Sequence, residues 1–148
     1  MKALLVIAGL GLAVASPAAF AQSLAGVTIG DSETKVMKAL PGATNVPDEN
    51  DHNVRLIFIG ETTVELCKGK ASYIERTTGS TLTDYLTLVE RETAKRGKPT
   101  ARSEVAKNGA ESWMFSSWAD HGAAFTVQMH YGGGKHRVTT TLAGKSQC

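Results

Sequence analysis

Hydrophobic and polar residues follow a helical period and then a strand period, and this order occurs twice along the chain. In the first cycle, Val36, Met37 and Leu40 share one face of a helix that begins at Asp31 and ends at Pro41-Gly42. A polar, loop-like stretch follows. Three runs with strand chemistry come next, at residues 54–59, 62–68 and 71–77. The first half therefore predicts a short helix followed by a three-stranded meander.

The second cycle has the same order of elements. Thr81 is placed to cap a helix, with Asp84 three residues on, and Gly97 and Pro99 end it. Its predicted apolar stripe consists of Leu82, Tyr85, Leu86 and Val89. A polar connection then leads into three strands at residues 112–118, 124–131 and 136–142.

The two cycles together predict an α+β fold. We expect a tandem helix-plus-three-strand repeat that forms a mainly antiparallel sheet with the helices on one face. The half-repeats span about residues 26–78 and 79–144 of one domain, residues 22–148. Because the halves share little residue identity, the duplication is one of architecture.

Two short segments resemble known exported modules. Ile29-Gly30-Asp31 opens the first helix, and VELCKGKASYIERT reads as a strand, a Gly69-Lys70 turn and a second strand. In tandem, this architecture resembles the β-lactamase inhibitor protein family, and a single half resembles the SmpA/OmlA outer-membrane assembly modules. The resemblance implies protein binding rather than catalysis. The chain departs from the assembly lipoproteins because no lipid-bearing cysteine starts the predicted mature chain, and no motif transfers an interface residue.

The N-terminus predicts export. Lys2 precedes a short apolar run, and Ala19-Phe20-Ala21 has the small-x-small pattern of a cleavage site, so residues 1–21 read as a signal peptide. The run is shorter than the roughly 20 residues that span a bilayer, and no later segment is longer. We expect a soluble periplasmic protein without an integral membrane segment, with secretion as the alternative.

The net charge and the cysteine content limit the kinds of partner and the cellular compartment that the sequence allows. A formal net charge of +2 is no nucleic-acid footprint. Cys67 and Cys148 are the two cysteines, and an isolated pair in an oxidising compartment usually forms a disulfide. The alternative is a reactive Cys67 thiol whose pKa Lys68 lowers, although no histidine base lies near it in sequence.

The sequence contains only weak indications of a catalytic or metal-binding site. A metal site would need His121, His130 and His136 to converge near Asp120. Pairing Met129 with Val138 keeps the apolar sets of both strands on one face, and it then places His130 opposite Arg137, on the other face from His136. Ser116 and Ser117 lie in a strand without a nucleophile elbow. Gly132-Gly133-Gly134 connects two strands, whereas a phosphate-binding loop runs into a helix. We predict no enzyme, metal or cofactor.

The sheet face turned away from the helices is the predicted binding surface. Trp113 with Phe115 and Met114 with Trp118 lie on opposite faces of a regular strand, so one set faces outward. If Trp113 and Phe115 fill the core, the outward set lies near carboxylates. The alternative is a bulged strand that buries both tryptophans. The predicted partner-binding residues are Glu65, Tyr73, Glu75, Met114, Trp118, Gln128 and His130.

Three function classes follow from these observations. We expect an exported protein-binding module of the inhibitor, immunity or assembly-factor type, which binds another exported or envelope protein through the open sheet face. The first alternative is a periplasmic small-ligand carrier with a cavity between sheet and helices. The second is a metal-dependent or other hydrolase.

Overall fold

The computed structural model describes residues 23–120, 122–145 and 148. The predicted signal peptide, residues 1–21, lies outside these residues. The described residues form two helices, α1 (Glu33–Ala39) and α2 (Leu82–Arg96), and neither is long and apolar enough to cross a membrane. The strands are β1 (Ser23–Leu24), β2 (Val27–Thr28), β3 (Thr44–Pro47), β4 (Val54–Ile59), β5 (Thr62–Cys67), β6 (Lys70–Gly79), β7 (Thr100–Val105), β8 (Glu111–Asp120), β9 (Ala123–Gly132) and β10 (Lys135–Gly144).

Eight strands form one antiparallel sheet in the order β3-β4-β5-β6-β10-β9-β8-β7, and β1 and β2 form a separate hairpin. Strands β6 and β10 pair at the centre, and each half of the chain continues outward from them. The predicted α+β class is wrong, because 54% of the described residues are in strands and 18% in helices. The predicted helix-plus-three-strand unit is also wrong, since each half contributes four strands to the sheet.

The two edge strands, β3 and β7, explain why each half of the chain has one strand more than predicted. Both come from polar segments that the sequence predicts as loops. No residue of β3 is buried, and every residue of β7 is exposed. An edge strand that lies against no core needs no apolar alternation, so hydrophobic periodicity does not detect it.

The six inner strands lie where the alternating pattern predicts them, with ends that differ by at most two residues. The predicted register between β9 and β10 is confirmed: Met129 opposes Val138, and Tyr131 opposes His136. Register follows the apolar sets here because a slip by one residue would expose all of them to water.

Both helices pack on the same face of the sheet, which we call the helix side. Val36 of α1 and Tyr85 and Leu88 of α2 join one hydrophobic core with the inward residues of the sheet. The largest fully buried apolar side chains are Val27, Val36, Ile57, Val64, Leu66, Ile74, Val127, Val138 and Leu142. The opposite surface, which neither α1 nor α2 covers, is what we call the helix-free face.

Helix α1 begins one residue later than predicted. Ser32 is the N-cap, and its side chain accepts a hydrogen bond from the Lys35 backbone N–H. Asp31 instead joins two elements, because its carboxylate accepts from the Thr28 backbone N–H at 2.8 Å and from Lys35 Nζ at 2.6 Å. Burial opposes ionisation of Asp31, yet these two hydrogen bonds hold its pKa below the usual value.

Helix α2 has the predicted cap but a different buried stripe. Thr81 and Asp84 form a reciprocal capping box. The buried residues are Tyr85, Leu88 and Glu92, whereas Leu82 and Leu86 face solvent. The prediction of a stripe through Leu82 and Leu86 is therefore wrong. The spacing of apolar residues could not predict the buried stripe of α2, because the third member of that stripe is the charged residue Glu92. Three cations surround the Glu92 carboxylate.

Cys67 and Cys148 form the predicted disulfide, with Cα atoms 5.4 Å apart and a sequence separation of 81. Cys67 ends β5, so the bond ties the end of the chain to the first half of the sheet. A disulfide is compatible with an exported protein.

Candidate functional site

The helix-free face follows from the alternation of side chains along each strand. Positions next to the core residues project away from the helices, and cross-strand pairing brings them into rows. Thr139 and Thr141 of β10 lie at the centre of this face and are buried, although neither α1 nor α2 covers them. Around them lie Thr63 and Glu65 of β5, Tyr73 and Glu75 of β6, Gln128 and His130 of β9, and Trp113 and Phe115 of β8.

Five of the seven predicted binding residues share this face: Glu65, Tyr73, Glu75, Gln128 and His130. They fall into two groups. Glu65 and Tyr73 oppose each other across β5 and β6, and Glu75 follows on the same face. Gln128 and His130 lie on β9, beyond the threonines of β10.

Met114 and Trp118 are not on this face, so their predicted placement there is wrong. Trp118 is only 4% exposed, opposes Phe125, and donates from Nε1 to the Gly97 carbonyl at 2.7 Å. Met114 opposes Met129 and packs against the core. The alternative of a bulge that buries both tryptophans is wrong too, because the β8–β9 register runs unbroken.

Trp113 and Phe115 are the residues that the sequence analysis missed. Asp120 pairs with Ala123, so the register places Trp118 opposite Phe125 and turns Trp113 outward. The hairpin register, which was used to assign His130 to one face of the sheet, also determines the faces of the residues in β8. The short Asp-His-Gly turn was therefore the signal for the outward aromatic set.

These residues form what we call the aromatic cluster: Trp113, Phe115 and His130, with Arg102 from edge strand β7. The rings of Trp113 and His130 stack with centroids 5.1 Å apart and planes 15° from parallel. The Arg102 guanidinium lies 4.4 Å from the centroid of the Phe115 ring, within cation–π distance. All three rings are half-buried, so the cluster is held in place before any partner arrives.

A hollow of about 240 Å³ adjoins the aromatic cluster. Its lining combines two carboxylates with a cation and the Trp113–His130 stack; the residues are Glu75, Glu111, Trp113, Gln128, His130, Arg137 and Thr139. The Nε2 atom of His130 is buried and has no hydrogen-bond partner among the described residues. A Cβ at position 132 would lie 2.9 Å from that atom, so any other residue there would require the His130 ring to shift.

The first group on the helix-free face contains a perturbed tyrosine. The Tyr73 hydroxyl donates to Glu75 Oε2 at 2.7 Å. Burial raises the pKa of Tyr73 most, and the Glu75 hydrogen bond and the charges of Glu75 and Glu65 raise it further. Because the folded-state pKa exceeds the unfolded value of about 10, the stabilisation from this group is complete below pH 10 and disappears as pH rises through the folded value.

Glu75→Gln is expected to lower the pKa of Tyr73, because the change removes the negative charge that opposes phenolate formation. Alkaline titration of tyrosinate absorbance measures this shift, and Tyr73→Phe identifies the transition. Glu61→Gln is the control, since Glu61 does not contribute to the shift. Identical titration curves for the wild type and Glu75→Gln would contradict this arrangement.

The structure also places most of the histidines and serines that were considered as metal ligands or catalytic residues. His130 and His136 lie on opposite faces, as the register predicted, and His121 lies outside the described residues. Within the described part, no three His, Cys, Asp or Glu side chains converge to hold a metal. Ser116 is a buried strand residue whose Oγ lies 2.9 Å from the Tyr85 hydroxyl. The absence of catalysis stays a prediction.

The geometry of the helix-free face thus defines a surface without assigning a reaction to it. The resemblance to β-lactamase inhibitor proteins stays a prediction as well. No family model, curated protein or solved structure matches this chain.

Proposed function

We propose that this chain is an exported protein-binding module that acts through its helix-free face. One observation carries the proposal. The aromatic cluster of Trp113, Phe115, His130 and Arg102 lies on a sheet face that neither described helix contacts. Tryptophan and arginine are among the residue types that dominate the binding energy of protein interfaces.

The fixed geometry of the cluster supports this role. Trp113 is held by its stack on His130, whereas the exposed Arg102 side chain lies over Phe115 and 3.5 Å from Glu104. A side chain that is ordered before binding loses less conformational entropy in the complex. A partner can therefore bind these rings with little reorganisation.

The hollow beside the cluster supports a partner that inserts a polar or charged side chain. Arg137 and the carboxylates of Glu75 and Glu111 line it. His130 Nε2 also lacks a hydrogen-bond partner among the described residues. Unsatisfied buried polar atoms are uncommon in folded proteins. A polar rim around an aromatic centre is the usual anatomy of a protein interface.

The test is partner capture with matched variants. Immobilised wild type is incubated with the periplasmic extract and culture medium of the source organism, and bound proteins are quantified by mass spectrometry. The double variant Trp113→Ala/Phe115→Ala is expected to reduce capture of the true partner by at least about tenfold, since two central anchors are lost.

Leu86→Ala is the matched control, because Leu86 is an exposed apolar residue of α2, on the other side of the sheet. It should leave capture unchanged. Equal capture by the double variant and the wild type would refute binding through the helix-free face. Trp118→Ala is unsuitable here, since loss of a buried tryptophan reports on folding rather than on binding.

A further inference from the structure

A second surface feature lies on the helix side of the sheet, away from the proposed interface. A cleft of about 510 Å³ separates the C-terminal half of α2 from β6, β10 and the short strand β1. This volume is in the range of small-molecule sites, about 300–1,000 Å³. Leu24, Leu88 and Phe125 provide apolar wall, whereas the rest of the lining is mostly polar.

The lining of the cleft has a strong excess of positive charge. Four cationic side chains line it, Arg76, Arg91, Lys95 and Arg96, against one carboxylate, Glu92. The protein as a whole has a net charge of only +2. The cleft therefore concentrates positive charge that the overall composition conceals.

Three of the cations are held in position by Glu92. Arg91 Nε and Arg96 Nε each lie 3.0 Å from a Glu92 carboxylate oxygen, and Lys95 Nζ lies 3.6 Å away. Burial opposes ionisation of Glu92, but the hydrogen bonds from Arg96 and Arg91 and the nearby charges hold its pKa below the usual value. Both arginines reach Glu92 through Nε, and within the described residues their Nη atoms make no side-chain hydrogen bond, so these donors can bind a ligand; the Arg96 guanidinium also lies 4.3 Å from the centroid of the Phe125 ring.

Arg76 is the fourth cation and has no such partner. It projects on the helix side of β6, between Thr62 and Thr140 of the neighbouring strands, and both threonines are buried. Within the described residues, no carboxylate oxygen lies within 4.0 Å of its guanidinium. Arg76 is exposed, so its guanidinium is accessible from the cleft and has no carboxylate partner there among the described residues.

We infer that this cleft binds a small molecule with at least two negative charges, carried by a phosphate or diphosphate group. Arginine forks fit phosphate oxygens with paired hydrogen bonds, and the lysine adds a point charge. Leu24 is the half-buried member of the apolar wall and would contact the organic part of the ligand, because Leu88 and Phe125 are buried and the Arg96 guanidinium covers the Phe125 ring. This site is independent of the proposed protein interface, since the two lie on opposite faces of the sheet.

Calorimetric titration of the purified, disulfide-intact protein with inorganic pyrophosphate tests the inference. We expect one-to-one saturable binding with a Kd below about 1 mM at low salt. Arg76→Gln should weaken binding by about tenfold or more, because it removes a charge-assisted contact. Arg76 makes no side-chain ion pair within the described residues, so this variant is expected to keep its unfolding temperature.

Lys107→Gln is the control, since it removes the same charge from an exposed position outside the cleft. It should leave the Kd unchanged. Equal weakening by both variants would show a general charge effect and overturn the site. An absence of saturable binding at millimolar pyrophosphate would overturn it as well.

A lipid headgroup could also supply the phosphate. Sedimentation with vesicles that contain phosphatidic acid, whose terminal phosphate can carry two negative charges, separates the two sources. Sedimentation that pyrophosphate displaces and that Arg76→Gln abolishes assigns the cleft to a headgroup, and saturable pyrophosphate binding without sedimentation assigns it to a free small molecule. Sedimentation that Arg76→Gln leaves unchanged would refute the role of the cleft in lipid binding.

Discussion

Trp118→Ala is expected to lower the free energy of unfolding by about 3–5 kcal/mol, the usual cost of removing a buried aromatic side chain. Trp118 is 4% exposed, contacts Phe125 and donates its indole N–H to Gly97, just beyond α2. The variant therefore leaves a cavity and an unpaired carbonyl between helix and sheet. Urea denaturation followed by circular dichroism measures the change.

Trp113→Ala is the matched comparison, because Trp113 lies on the same strand and faces the opposite side. It removes a half-buried ring stacked on His130, so its cost should be about 1 kcal/mol. The difference between the two variants tests the orientation of β8 directly. Similar losses from both variants would contradict that orientation.

Loss of the disulfide is the other large expected effect. Cys67→Ser/Cys148→Ser should lower the free energy of unfolding by about 4–5 kcal/mol, because an 81-residue separation closes a long loop in the unfolded chain. The bond joins β5 to a chain end that follows β10, so its loss also frees that end. Equilibrium unfolding without reductant gives the difference.

A reductant provides the control for the cysteine variant. It should destabilise the wild type by a similar amount and leave the double variant unchanged, since serine cannot form the bond. A wild type whose unfolding midpoint does not respond to complete reduction would argue against a stabilising disulfide. Mass measurement after alkylation of free thiols confirms the redox state in each sample.

Much of the fold was predictable because its signals are local. The cap at Thr81 and the six inner strands could be identified from a few neighbouring residues. The fold class could not be predicted from such local signals. Strands β3 and β7 exist because a neighbouring strand offers them hydrogen bonds, and their own polar sequences do not indicate it.

The proposed interface was predictable only in part. Glu65, Tyr73 and His130 could be assigned to the open face from alternation and the β9–β10 register. Strand β8 has large apolar residues in both alternating sets, so its own pattern left the orientation open. Its pairing with β9 decides that Trp118 enters the core and Trp113 does not.

The sequence by itself determined the inner strands, the N-terminal cap of α2, the cysteine pairing and one face of the hairpin at residues 123–144. Each of these depends on short-range spacing or on the composition of the chain. Only the tertiary structure decided the eight-strand order, the aromatic cluster and the cationic cleft. Arg76 and Lys95 are far apart along the chain and line the same cleft only because α2 packs on the sheet, and no local pattern encodes that arrangement.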